Sequence, residues 1–358
     1  MSKPKKRPWI GSLINAALVV LAFGLLGLVI WQNNLKIRAV LSRPLDLKLL
    51  ALAGAVYLTG MFGTFVRWFF LVRVIEPTFK FSATVLLGLI GMVFNLVIPG
   101  AVGGDVIKAS YLARMRIRKT QAIASMVIDR IVGLLGLFIL ASIAGVFAWE
   151  QATPDVRKLI MAAWFAVGIG ALALVVIFSQ ILTRMFPQLT RGHSRLSLVV
   201  SELREMSTTY RGRLEVVVGA AAISVCTHGL NVVAFFLVGR MLFPNMPTTL
   251  AQHFLMVPLT LFSMAVPLPF GALGLSEEVG QQLFQLVDHP SGALAMMGFR
   301  VLMYLGAGMG ACVYLWKLKE VRELTASAHD IEDQIAEGEL DEEPPGSGQP
   351  VARSLDRD

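Results

Sequence analysis

Residues 95–116 read NLVIPGAVGGDVIKASYLARMR. An apolar run is interrupted by Pro99-Gly100 and by Gly103-Gly104, and Asp105 and Lys108 follow at once. In a soluble protein this would be a loop. The surroundings are too oily for that. The 358 residues are 55% hydrophobic and 16% charged, against about 25% charged in soluble domains, and the mean hydropathy is +0.67. Apolar runs at Gly11–Trp31, Leu49–Val72, Ala122–Trp149, Leu159–Leu182, Val216–Val238 and Gly292–Trp316 each reach the roughly 20 residues that a helix needs to cross a bilayer core. The first run is too long for a signal-peptide h-region, and no small-residue cleavage site follows it. The chain reads as an all-α polytopic membrane protein.

Charge sets the expected topology. The net charge is +8, but Ala328–Asp358 alone carries ten acids and two Arg. Residues 324–358 therefore read as an acidic, disordered tail. Basic clusters at residues 1–8, Arg114–Lys119, Thr183–Arg213 and Lys317–Arg322 point to the cytoplasm. The connections Phe243–Thr249 and Asp288–Ser291 lack Lys and Arg and read as outside. Gln32–Lys48, with four basic residues, disagrees and follows the majority to the outside.

Six spans with both termini inside leave two segments over. Phe81–Ala113 begins and ends on the cytoplasmic side. Leu250–Val287 begins and ends outside. Each is too long for one crossing and is broken near its middle, the second by Pro267, Pro269, Gly271 and Gly274. Both read as re-entrant helical hairpins, one from each face. An offset of 170 residues aligns Pro99 with Pro269, Gly104 with Gly274, Met126 with Met296, Arg130 with Arg300, Leu135 with Leu305 and Gly136 with Gly306. It pairs hairpin with hairpin and span with span in opposite directions, the pattern of an inverted-topology repeat. The membrane domain is expected over residues 9–323, with repeat A at about 49–182, a linker at 183–213 and repeat B at about 214–319. Within the linker, Ser194–Tyr210 fits either a surface amphipathic helix or a plain helical connection.

The breaks carry the candidate chemistry. Lipid cannot satisfy the backbone groups that a broken helix frees, so each break must face protein or a watery cavity. The half-helices that start near Gly103–Asp105 and Gly274–Glu277 present N-terminal amides suited to an anion. Asp105 and Ser276 as simple caps is the plainer reading. Asn95 is placed to satisfy freed backbone groups. Asp129, Arg130, Arg300, Glu277 and Glu278 lie within apolar segments, where each charge costs at least ~2.5–3.5 kcal/mol. They are expected to form ion pairs, such as Asp105 or Asp129 with an Arg and Glu277 with Arg300, or to line a polar cavity in which Arg130 and Arg300 grip a phosphate. Lys108 and Arg67 read as snorkelling to the interface. Gly133–Gly136 and Gly306–Gly310 read as packing faces.

Other chemistries find no footing. Cys226 and Cys312 sit inside apolar runs, and the five His are scattered, so neither a disulfide framework nor a metal site is expected. No phosphate-binding GxxxxGK[ST] motif occurs, so direct use of ATP is not expected. No cofactor is expected. Nucleic-acid binding would need a basic module that is absent.

Taken together, Pro99…Gly103-Gly104-Asp105, Val127-Ile128-Asp129-Arg130 and Pro267-Leu-Pro269…Gly274-Leu-Ser-Glu277 resemble the membrane region of lysylphosphatidylglycerol synthases, whose stand-alone relatives are called flippase-like membrane proteins. The likeness spans roughly Gly11 to Lys319. It departs from the usual motifs at Ala272 and Ser276, where Gly and Arg are usual, and at Lys108, often Arg. It implies a bacterial cytoplasmic membrane protein that moves a lipid between leaflets. The expected partner is a membrane phospholipid or other polar lipid, and a homodimer is compatible with this. Aminoacyl-lipid synthesis is not expected, because no synthase domain follows Trp316. An accessory subunit of a lipid-modifying or glycan-export system and an intramembrane lipid transferase are the alternatives. Gly103-Gly104-Asp105 superficially resembles a membrane aspartyl protease motif, but Val102 stands at its first Gly.

Overall fold

The computed structural model describes residues 8–97, 103–115, 117–179, 204 and 207–318. The N-terminal basic cluster, Pro99, most of the linker and the acidic tail lie outside this set. Among the described residues every regular element is helical: α1 (Pro8–Gln32), α2 (Asn34–Leu41), α3 (Leu47–Ile75), α4 (Phe81–Val97), α5 (Gly103–Arg114), α6 (Lys119–Ala148), α7 (Pro154–Ser179), α8 (Leu214–Leu242), α9 (Leu250–Phe262), α10 (Leu275–Gln285) and α11 (Gly292–Trp316). Of these, α3, α6, α7, α8 and α11 are long and apolar enough to cross a membrane. The α1–α2 pair, bent by 71° at Asn33, makes a sixth candidate. The expected loop at Gln32–Lys48 thus contains a short helix. Asn33, at the bend, donates both its backbone N–H and its Nδ2 to the Val29 carbonyl, each at 3.0 Å.

The loops sort to two ends of the bundle. At one, Lys36 donates to the Pro290 carbonyl (2.7 Å), Asn33 Oδ1 meets the Ser291 hydroxyl (3.1 Å), and the Phe243 and His289 rings lie 5.6 Å apart. Gln32–Lys48 therefore shares an end with Phe243–Thr249 and Asp288–Ser291, the grouping expected from the majority of the loops and against its own four basic residues. At the other end, Phe79 in the α3–α4 turn packs on Trp68 and Tyr111, and the buried Tyr210 hydroxyl donates to the Leu71 carbonyl (3.1 Å). That bond fixes the chain just before α8 to the end of α3.

Close helix contacts organise the interior. α3 runs along α8, α6 packs on α7, α8 and α9, and α4 packs on α11. Glycines set the spacing. A Cβ on Gly136 would strike the Ser224 side chain, and one on Gly310 would strike the Leu89 carbonyl. Without a strong hydrophobic drive between helices in lipid, such backbone approach supplies the packing. Outward, Phe147, Phe165, Leu172 and Val175 are exposed, an apolar belt suited to hydrocarbon. α4 and α5 pack together, as do α9 and α10, and none of the four is long enough to cross alone.

Gly310→Ala should therefore cost about 1–3 kcal/mol of unfolding free energy by overpacking. Gly308→Ala, one turn-fraction away with open space around it, should be neutral or stabilising. Equilibrium unfolding of the purified protein in mixed SDS micelles reads both.

Candidate functional site

The break between α9 and α10 is a left-handed turn. Phe270, Gly271 and Ala272 have φ of 57°, 66° and 51°, and Gly274 has φ 82°. This region is natural for glycine but strained for Phe and Ala. Something must hold it, and Arg300 on α11 does. Its Nη1 donates to the Phe270 carbonyl (2.6 Å), its Nη2 to the Gly271 carbonyl (3.2 Å) and the Ser276 hydroxyl, and its Nε to Glu277 Oε1 (2.6 Å). The other Glu277 oxygen accepts from the Gly274 N–H (2.7 Å). Arg300 is 4% exposed and Glu277 0%. The freed backbone is thus satisfied inside the protein, by a charge that is itself neutralised.

The expected cap, Ser276, does not cap. It sits inside the first turn of α10, and its hydroxyl bonds back to the Ala272 carbonyl (3.2 Å), a contact typical of a helix interior. Glu277 takes the capping role, as an acid three residues past the start can. The phosphate-gripping expectation for Arg300 also meets this geometry. Four of its five N–H groups are committed at the turn.

The break between α4 and α5 has a different solution. Asn95 on α4 accepts the Gly104 N–H through Oδ1 (2.7 Å). A Cβ on Gly104 would come within 2.7 Å of the Gly91 carbonyl and 2.9 Å of Asn95 Oδ1, so glycine alone permits this approach. Asp105, in the first turn of α5, pairs with Arg130 Nε on α6 at 2.5 Å. Here Arg130 is 43% exposed and Asp105 19%. Lys108, one turn along, places Nζ 4.6 Å from the Trp68 ring centre, so its charge rests on an aromatic face rather than reaching freely to the interface.

Asp129 belongs elsewhere. It takes a two-point grip from Arg67 on α3, Nε–Oδ1 2.7 Å and Nη2–Oδ2 3.0 Å, and Arg67 Nη1 reaches the Ser224 hydroxyl on α8 at 3.0 Å. Arg67, expected to snorkel, is instead buried at the crossing of three helices. Gly133 makes room, since a Cβ there would lie 3.2 Å from the guanidinium. The signal that could have found it is Gly133 itself, one turn past Asp129 on the same helix. Glu278 is set apart, holding Gln282 at 2.7 Å. Pro267 is exposed and Pro269 buried at the turn. An open cleft of about 330 Å³, lined by Phe23, Phe270, Leu273, Met297 and Tyr304, lies over Glu277 and Arg300 and is almost wholly apolar. Among the described residues, no group of three or more His, Cys, Asp or Glu side chains could hold a metal ion.

Each of the two helical breaks is tied by an acid in the following helix to an arginine on the next span. Residues 12–309 match the profile described as lysylphosphatidylglycerol synthase TM region. The chain belongs to this family. No curated protein matches it. For the family member described here, membership and the apolar helices make an integral membrane protein with a lipid-related role.

The three pairs should separate in mutagenesis. Arg67→Met and Arg300→Met each leave a buried carboxylate without its partner and should cost about 3–5 kcal/mol. Arg130→Gln removes a half-exposed charge and should cost about 1 kcal/mol or less. SDS-titration unfolding distinguishes the two classes.

Proposed function

We propose that this protein translocates lipid, carrying an anionic or zwitterionic headgroup through a polar opening near the membrane midplane while the acyl chains stay in the bilayer. In this reading α4–α5 and α9–α10 are re-entrant hairpins that enter from opposite faces, and the two halves form an inverted-topology repeat. The protein sits in a bacterial cytoplasmic membrane with both termini inside. The repeat is supported by parallel construction. Asp105 and Arg130 lie 25 residues apart and Glu277 and Arg300 lie 23 apart, each pair joining the second hairpin helix to the following span.

One observation carries the functional reading: the exposure of Arg130. A guanidinium 43% exposed on an apolar span cannot face hydrocarbon cheaply. It needs water beside it, and a hydrated opening at that depth is where a headgroup would pass. Arg130 can present its planar fork to phosphate, while Asp105 beside it can receive a cationic headgroup part. Arg300 then serves the architecture, holding the opposite turn rigid while the first pair meets the lipid. Rocking of one half against the other would alternate access.

The alternatives differ in outcome rather than in residues. The test is reconstitution into vesicles with fluorescent phospholipids and a leaflet-accessibility readout. Wild-type protein should move lipid faster than protein-free vesicles, and folded Arg130→Gln should be slower by about tenfold or more. Wild-type transport that equals the protein-free rate sinks the translocase and favours an accessory subunit. Conversion of one headgroup into another would instead mark a transferase.

A further inference from the structure

His253 and His289 lie on the two arms of the α9–α10 pair, His253 in the first turn of α9 and His289 four residues past α10. Both are buried, at 0% and 5% exposure. Their ring centres are 5.7 Å apart at 71°, packed among Phe235, Phe236, Phe243 and Phe284. Hydrogen bonds fix both tautomers. The Ser291 N–H donates to His289 Nδ1 (3.1 Å), so the proton of the neutral ring is on Nε2. His253 Nδ1 lies 2.8 Å from the Thr249 carbonyl, which can only accept, so Nδ1 carries the proton and Nε2 keeps a lone pair. Both Nε2 atoms are buried without a hydrogen-bond partner. One is a donor and the other an acceptor. The pair cannot serve as two metal ligands, because His289 offers no lone pair.

We propose that His253 and His289 form a proton-binding clasp at the base of the α9–α10 pair, in which a single proton taken up at His253 Nε2 opens the clasp. In the neutral state both rings are uncharged, and one Nε2 carries an N–H while the other carries a lone pair. A proton from solvent on His253 Nε2 turns the only acceptor into a second donor. It also creates an imidazolium inside an aromatic shell, with no acid to receive it. The charged groups nearby confirm the imbalance. Lys36, from α2, is bound to the Pro290 carbonyl beside His289. Arg240, at the end of α8, and Asp288, in the loop, are both exposed. On α10 and α11, Glu277 and Arg300 are committed to one another. Burial pulls His253 down to about 4 from its ordinary value near 6.5, against the opposing bond to the Thr249 carbonyl. The unfolded chain therefore binds more protons than the folded one between those values. The clasp contributes in full above pH about 6.5 and is lost as pH falls towards 4. The same end is held at neutral pH by Ser291, whose hydroxyl meets Gln281 Oε1 (3.0 Å) and Asn33 Oδ1 (3.1 Å). Opening there would free α9, α10 and the α1–α2 bend together.

The inference is independent of lipid transport and is tested without it. Hydrogen exchange of the full chain in nanodiscs, corrected for intrinsic rate, is compared at pH 7.5 and 5.0. Protection over residues 249–254 and 286–292 should fall about tenfold or more at the lower pH, while α3 and α8 hold. His253→Gln, which keeps an acceptor but cannot take the proton, should abolish the difference. Should that variant misfold, ¹⁵N-histidine NMR of wild-type protein titrated from pH 7.5 to about 3.5 reads the same event, with His253 Nε2 taking its proton only well below the ordinary histidine range. Unchanged protection at pH 5.0, or a folded His253 that titrates in the ordinary range, overturns the proposal.

Discussion

A helix that stops inside a bilayer exposes amides and carbonyls to a medium that cannot bond them. Every unusual feature of this protein answers that constraint. At the second break the answer is a buried arginine whose donors are divided among two carbonyls, a hydroxyl and a carboxylate. At the first break it is an asparagine reaching across to a glycine amide. The acids that follow, Asp105 and Glu277, then neutralise arginines on apolar helices. Polar groups are retained here because the backbone requires them, before any ligand is considered.

The two solutions are not equivalent, and their difference is informative. The Arg300–Glu277 pair is sealed, and the apolar cleft above it is lined by Phe, Leu, Met and Tyr side chains. The Arg130–Asp105 pair is open. One break is therefore held as a fixed support while the other stays accessible. At the second break Phe270 and Ala272 hold positive φ in the turn that Arg300 grips. Such strain persists when the surroundings over-determine it.

Much of this was legible in the residues. Run length predicted the spans, since 1.5 Å per residue leaves little freedom in how an apolar stretch crosses. The Pro and Gly clusters marked both breaks. Asn95 and the pairing of Glu277 with Arg300 followed from the need to satisfy backbone and charge. What escaped was what depends on neighbours distant in sequence. Arg67 looked like a snorkelling residue because its partner, Asp129, lies 62 positions on and its third contact, Ser224, 157 positions on. Ser276 resembled a cap by residue type, but the turn before it runs through three left-handed residues and shifts the helix start to Gly274. The α1–α2 bend escaped because it sits at Asn33, with no Pro or Gly to mark it.

The grip of Arg67 on Asp129 also has a bearing on biogenesis. α3 emerges from the ribosome well before α6, and α8 later still, so Arg67 enters the membrane with neither of its partners present. The three-helix contact at Arg67 can therefore close only once α3, α6 and α8 are all in place.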